Sequence, residues 1–98
     1  MNQKLVDEEI EKNLTTLTGW KREDQKWIVK KYRFSKYLDG IEFVNRAAQI
    51  AEEMNHHPFI SIDYKLITLR LTTWNAGGLT GLDFKSAEEF DEEYSHFT

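Results

Sequence analysis

Apolar residues change their spacing twice along this chain, and that change limits the possible fold more than any other feature. Between Tyr37 and Met54 they recur at steps of three and four. Tyr37, Ile41, Val44, Ala48 and Ala51 form one stripe, and Phe43, Ala47, Ile50 and Met54 form an adjacent one. This spacing predicts a long helix with a broad buried face, N-capped by Ser35 and ending near Met54. On either side the period drops to two. Trp27 to Phe34 is β-branched and aromatic, with lysines alternating with Ile28, Tyr32 and Phe34. Residues 18–34 therefore read as a hairpin with Lys21–Gln25 as its polar turn. From Phe59 to Thr73 a second strand pair is expected, because Ile67, Leu69, Leu71 and Thr73 alternate with Thr68, Arg70 and Thr72.

Two shorter helices complete the order. Leu5 to Thr16 carries Asp7, Glu8 and Glu9 in its first turn, where negative charge suits the helix dipole, and Ile10, Leu14 and Leu17 as its stripe. Gly19 closes it and Trp20 begins extended chain. Asn75–Gly78 reads as a turn. Thr80 and Asp83 then match a capping box that opens a last helix. Phe84, Ala87, Phe90, Tyr94 and Phe97 line its inner face and the acids its outer face. The order α-β-β-α-β-β-α predicts an α+β fold, a single antiparallel four-stranded sheet with helices packed on one face. The other face or the edges stay open for a partner chain.

At 98 residues the chain has room for one core, so residues 1–98 are expected to form a single domain. With 40% hydrophobic and 31% charged residues it has a globular rather than a disordered composition. The absence of cysteine removes disulfides, thiolate metal sites and cysteine nucleophiles together. No apolar run reaches the roughly 20 residues that span a bilayer. Met1–Glu11 lacks the layout of a signal peptide, so a cytoplasmic protein is expected. Residues 1–50 carry ten basic and eight acidic side chains, whereas 51–98 carry three and nine. The acidic end, from Asp83 through Glu88, Glu89, Asp91, Glu92 and Glu93, disfavours direct nucleic-acid binding. Lys26, Lys30, Lys31 and Arg33 read as the solvated side of a strand.

Unusual functional groups concentrate in one place, Glu52, Glu53, Asn55, His56, His57 and Pro58. A helix ends there, and the only proline pushes His57 out of helical geometry. Imidazole donates and accepts protons near neutral pH, so an adjacent pair suits general acid/base work. Glu52 and His56 are four apart, hence on one helical face, where the carboxylate can orient the ring. The plainer alternative is a pair of capping cations at a helix C-terminus. A metal site is not expected, since neighbouring histidines rarely converge on one ion and no HExxH is present. His96 reads as a solvated residue near a frayed end, Trp20 and Trp27 as sheet packing, and Gly77-Gly78 as a turn.

Glu52, three residues, His56-His57-Pro58, five residues, Tyr64, nine residues, Trp74, eight residues, then Asp83 is a spacing that resembles the pterin-4a-carbinolamine dehydratases. Gly19-Trp20, Phe34, Arg46 and Ala51-Glu52 extend the resemblance over essentially the whole chain. It implies an α+β sheet with helices on one side and association as a homodimer or homotetramer. The implied reaction is loss of water from a 4a-hydroxytetrahydropterin to give the quinonoid dihydropterin, in recycling of the tetrahydropterin used by aromatic amino acid hydroxylases. No metal or organic cofactor is implied. By the same resemblance His56 and His57 carry the proton transfers, while Glu52, Asn55, Trp74 and Asp83 shape the substrate pocket.

One position departs from the best-known members, which carry a third histidine where this chain has Trp74. Indole cannot shuttle a proton, but it can wall a pocket and stack on a flat pterin. Asn55 also differs from the aspartate typical of animal members. The alternative function is a non-catalytic pterin-binding or protein-dimerisation module of the same fold, since animal members also serve as a dimerisation cofactor for a transcription factor.

Overall fold

The computed structural model describes residues 3–97; Met1, Asn2 and Thr98, at the ends of the expected 1–98 domain, lie outside the described residues. The chain runs α1 (Asp7–Leu14), β1 (Lys21–Glu23), β2 (Trp27–Arg33), α2 (Tyr37–Met54), β3 (Phe59–Asp63), β4 (Leu66–Leu71) and α3 (Gly81–Tyr94). Short 3₁₀ turns occupy Trp74–Ala76 and Ser95–Phe97. The strands form one antiparallel sheet in the order β1-β2-β4-β3. This is the α+β architecture and the element order that periodicity predicts.

Register explains the core. Ile28 pairs with Leu71, Lys30 with Leu69 and Tyr32 with Ile67, so Ile28, Tyr32, Ile67, Leu69 and Leu71 share the face that the helices cover. All five are buried, together with Phe43, Ala47 and Ala51 of α2 and Phe84, Ala87 and Phe90 of α3. Each large apolar side chain taken out of water here contributes about 1.5–3 kcal/mol. Tyr32 sits at the aromatic centre, its ring 4.8 Å from Phe43 and 4.9 Å from Tyr94.

Several local expectations are corrected. The helix buries Gly40, Phe43, Ala47 and Ala51, whereas Tyr37 and Ala48 of the other stripe are exposed. Ala51 of that stripe is buried, but at the start of the helix the Gly40–Phe43 side faces inward, because Gly40 lets the backbone come close to Phe34 and Ile67. The N-cap position is Lys36, not Ser35, and no side chain caps it. β1 lies inside the segment read as a turn. The turn itself is residues 24–26, between the paired Glu23 and Trp27, with Asp24 and Gln25 both at positive φ (51° and 66°), a conformation that Asp-Gln does not advertise.

Nor do all the acids line an outer face. Asp91 Oδ1 accepts hydrogen bonds from Tyr32 Oη at 2.6 Å, Lys30 Nζ at 2.9 Å and Trp20 Nε1 at 3.1 Å. Lys30 thus shares the inner face with Ile28 and Tyr32 and ties α3 to the sheet, while Lys31 and Arg33 stay exposed. Burial, followed by the hydrogen bond and negative charge of Asp91, pushes the Tyr32 phenol far above the ordinary tyrosine range. Among the described residues no helix is long and apolar enough to cross a membrane.

Candidate functional site

The site begins where α2 stops. Asn55 takes the left-handed conformation (φ 51°, ψ 42°), which asparagine tolerates better than most residues. The His56 N–H closes back on Ala51 O at 3.0 Å. This reversal sends the two imidazoles to different partners. His56 turns inward and its Nε2 lies 2.6 Å from Asp83 Oδ1, leaving its side chain 10% exposed. His57 turns outward, 54% exposed, with Nε2 2.5 Å from Glu52 Oε2. The expected Glu52–His56 pair is therefore replaced by Glu52–His57, because His56 lies beyond the last helical residue and the i,i+4 relation does not reach it.

Asp83 is fully buried and has a partner at every side. It occupies the third position of α3, and its Oδ2 accepts the Thr80 N–H at 2.9 Å, completing the capping box. The same oxygen accepts the Thr73 hydroxyl at 2.7 Å. The Thr73 proton is committed to that carboxylate, so the Thr80 hydroxyl donates to Thr73 across 2.9 Å while accepting the Leu82 N–H. With Oδ2 taken by two donors, Oδ1 is placed to accept the Nε2–H of His56, and in the neutral ring that tautomer has Nδ1 as its acceptor. No buried side-chain nitrogen or oxygen among the described residues lacks a partner. Nδ1 of His56, for which no protein partner is seen among them, is therefore not sealed from solvent.

A cleft of about 340 Å³ beside the histidines is lined by residues of the α2–β3 link, Asn55, His56, His57, Pro58 and Phe59, and by Thr72, Thr73, Trp74 and Asn75 after β4. Of the six residues singled out from sequence, four line it. Asp83 stands behind His56 without reaching the surface, and Glu52 lies outside the lining, its carboxylate paired with His57. Tyr64 belongs to the β3–β4 turn at positive φ and stacks on Tyr37, away from the cleft. His96 pairs with Glu93 at 2.9 Å. Among the described residues no three His, Asp or Glu side chains gather as metal ligands would.

Sequence reading missed two contributors. The hydroxyls of Thr73 and Thr80 complete the shell of Asp83; the capping-box spacing marks Thr80, but nothing local marks Thr73. Trp27 and Phe59 also join Trp74. Trp27 meets Trp74 edge-to-face at 5.4 Å and Phe59 at 5.1 Å, although sequence spacing reads Trp27 only as sheet packing.

Comparison with known proteins gives a consistent result. The family described as Pterin 4 alpha carbinolamine dehydratase matches residues 3–93. A candidate pterin-4-alpha-carbinolamine dehydratase of Picosynechococcus sp. is 40% identical over 92 residues, covering 94% of this chain and 99% of its own. One of Roseiflexus sp. is 44% identical over 92 residues, covering 94% and 98%. Among solved structures, a transcriptional coactivator/pterin dehydratase from Brucella melitensis superposes with a TM-score of 0.90 at 28% identity, over 94% of this chain and 99% of that one. A pterin dehydratase-like RuBisCO assembly factor of the alpha-carboxysome shares the fold alone, with a TM-score of 0.66 at 19% identity over 78% of this chain and 89% of that one.

Proposed function

This chain belongs to the pterin 4 alpha carbinolamine dehydratase family, and on that premise we propose that it removes water from a 4a-hydroxytetrahydropterin with His56 and His57 as the proton-transfer pair. The observation that carries the reading is a cleft lined by both imidazoles, one of them backed by a buried carboxylate.

The chemistry asks for two proton movements. Hydroxide leaves poorly, so the C4a oxygen needs a proton as its bond to carbon breaks and the electron pair departs with water. The electrons of the adjacent ring N–H bond then close the new C=N bond, and a base takes that proton. A well-placed acid or base contributes about 10²–10⁴-fold. His56 fits the base, because a ring that gives its Nε2–H to Asp83 has Nδ1 as its basic nitrogen, and His56 lines the cleft. His57, half-exposed and paired with Glu52, fits the proton donor. Asn55 and Trp74 would flank the bound heterocycle.

The test is turnover of chemically generated 4a-hydroxytetrahydropterin by the wild type and by His56→Ala. Loss of rate with ligand binding retained supports the assignment; an unchanged rate removes His56 from the mechanism. A second reading, a pterin-binding or dimerisation module without chemistry, is favoured by one feature, the indole of Trp74 in place of a third imidazole. A wild type that binds the pterin without dehydrating it would establish that reading instead. Family membership also supports association of copies, to which the β3 edge offers exposed Phe59 and Ile62.

A further inference from the structure

Trp74 is the most exposed aromatic ring beside the cleft, at 70%, yet it is not loose. Trp27 packs against it edge-to-face, centroids 5.4 Å apart at 86°, and Phe59 lies 6.1 Å away at 40°. Trp27 is gripped in turn. The Arg70 guanidinium lies over its ring, 4.7 Å from the centroid. Arg70 donates through Nε (2.9 Å) and Nη2 (2.5 Å) to the same oxygen of Glu23.

The sheet makes this line possible. Glu23 pairs with Trp27 across β1–β2, and Phe59 with Arg70 across β3–β4. Glu23, Trp27, Arg70 and Phe59 therefore project from the helix-free face, and Trp74 follows where β4 runs out. All four strands thus contribute one residue to this line, and it ends on the indole of Trp74, three residues beyond β4. Trp27 and Arg70 are absent from the lining of the histidine cleft; Trp27 instead lines a smaller recess of about 170 Å³ on the other side of Trp74.

We propose that Trp27 and Arg70 are positioning residues that hold Trp74 as a fixed platform for the flat ring of the substrate. This inference rests on the dehydratase reading, since it gives the platform a pterin to receive. A platform already held in place loses little side-chain freedom on binding, which improves affinity without a new contact to the ligand. The proposed proton-transfer groups are the imidazoles of His56 and His57, not the indole, so the effect falls on binding rather than on the chemical step.

The experiment compares wild type, Trp27→Leu, Trp27→Phe and Arg70→Met in three measurements. These are steady-state turnover of 4a-hydroxytetrahydropterin, binding of 6-hydroxymethylpterin by tryptophan fluorescence quenching, and the coupled-indole circular dichroism that Trp27 and Trp74 generate at this separation. Trp27→Leu is expected to abolish the coupled signal and raise both KM and the pterin Kd about five- to tenfold, with kcat within twofold. Trp27→Phe keeps an aromatic edge and should restore KM and Kd without restoring the coupled signal. Arg70→Met, which leaves every ring in place, should raise both constants about two- to threefold.

If Trp27→Leu folds and loses the coupled signal while KM and Kd stay at wild-type values, the platform idea fails and the dehydratase reading stands. Should Trp27→Leu fail to fold, Arg70→Met decides, and unchanged constants in that variant overturn the proposal. A wild type that neither binds nor dehydrates the pterin overturns both together.

Discussion

His56 Nε2 and Asp83 Oδ1 lie 2.6 Å apart although 27 positions separate them in the chain. The carboxylate is fully buried and the imidazole nearly so. Asp83 also serves as the third-position acceptor that caps α3. One side chain thus does two jobs, starting a helix and engaging Nε2 of His56.

Asp83→Asn separates those jobs. An amide oxygen still accepts the Thr80 N–H, but it no longer presents a negative charge to the ring. The expected outcome is a fall in kcat of about 10²-fold, at the lower end of what one acid/base group supplies. Stability should drop by about 1–3 kcal/mol, because a fully satisfied buried network loses its match of donors and acceptors. Turnover and urea unfolding on the same preparation check both.

Glu52 and His57 should behave differently. Both are largely exposed, so the pair adds little to stability, about 0–1 kcal/mol at most. Glu52→Gln and His57→Ala are each expected to unfold at nearly the wild-type temperature while lowering kcat, His57→Ala by more. A substantial drop in thermal midpoint for either variant would contradict the exposed geometry.

Asn55 acts first through its backbone. At φ 51° and ψ 42°, glycine is expected to be tolerated, whereas Asn55→Val should cost about 1–2 kcal/mol, the penalty for a side-chain-bearing residue held left-handed. The valine variant should also lose activity, because the reversal at Asn55 is what separates the paths of His56 and His57. Denaturant unfolding of the two variants, beside their turnover, checks this.

Tyr32 makes stability depend on alkaline pH. Its phenol is raised in the folded state by burial and by Asp91, while the unfolded chain titrates near the ordinary value of about 10. The folded state therefore holds its proton more tightly. The stabilisation is complete below about pH 10 and is lost progressively as pH rises toward the folded value. In ultraviolet titration of the native protein the Tyr32 phenolate should be missing, and it should appear on unfolding. Tyr32→Phe should flatten the alkaline decline while lowering stability at neutral pH by about 1.5–3 kcal/mol, the worth of a hydrogen bond to a charged acceptor.

Which parts of this were legible in one dimension follows from the range of the forces involved. Hydrophobic spacing is local, so the alternation Ile67–Leu69–Leu71 and the three-and-four stripe through Phe43 specify strand and helix without reference to the rest of the chain. Capping is local too, and Thr80 with Asp83 three residues on marks the start of α3. The failures share another origin. Gly40 and Phe43 face the core in preference to Tyr37 because Phe34 and Ile67 stand opposite them, which spacing within the helix does not reveal. Asp91 turns inward because Trp20, Lys30 and Tyr32 await it on two other elements.

The site divides along the same line. The order of the residues alone determined that two imidazoles would leave a helix end together beside a proline, and that a carboxylate would open the last helix. The reversal at Asn55 turned Glu52 to His57, whereas only the tertiary fold decided that His56 would meet Asp83 and that Trp27 would pack on Trp74. Those contacts cross between elements, and their geometry is set by strand register and by the packing of one particular helical face against it.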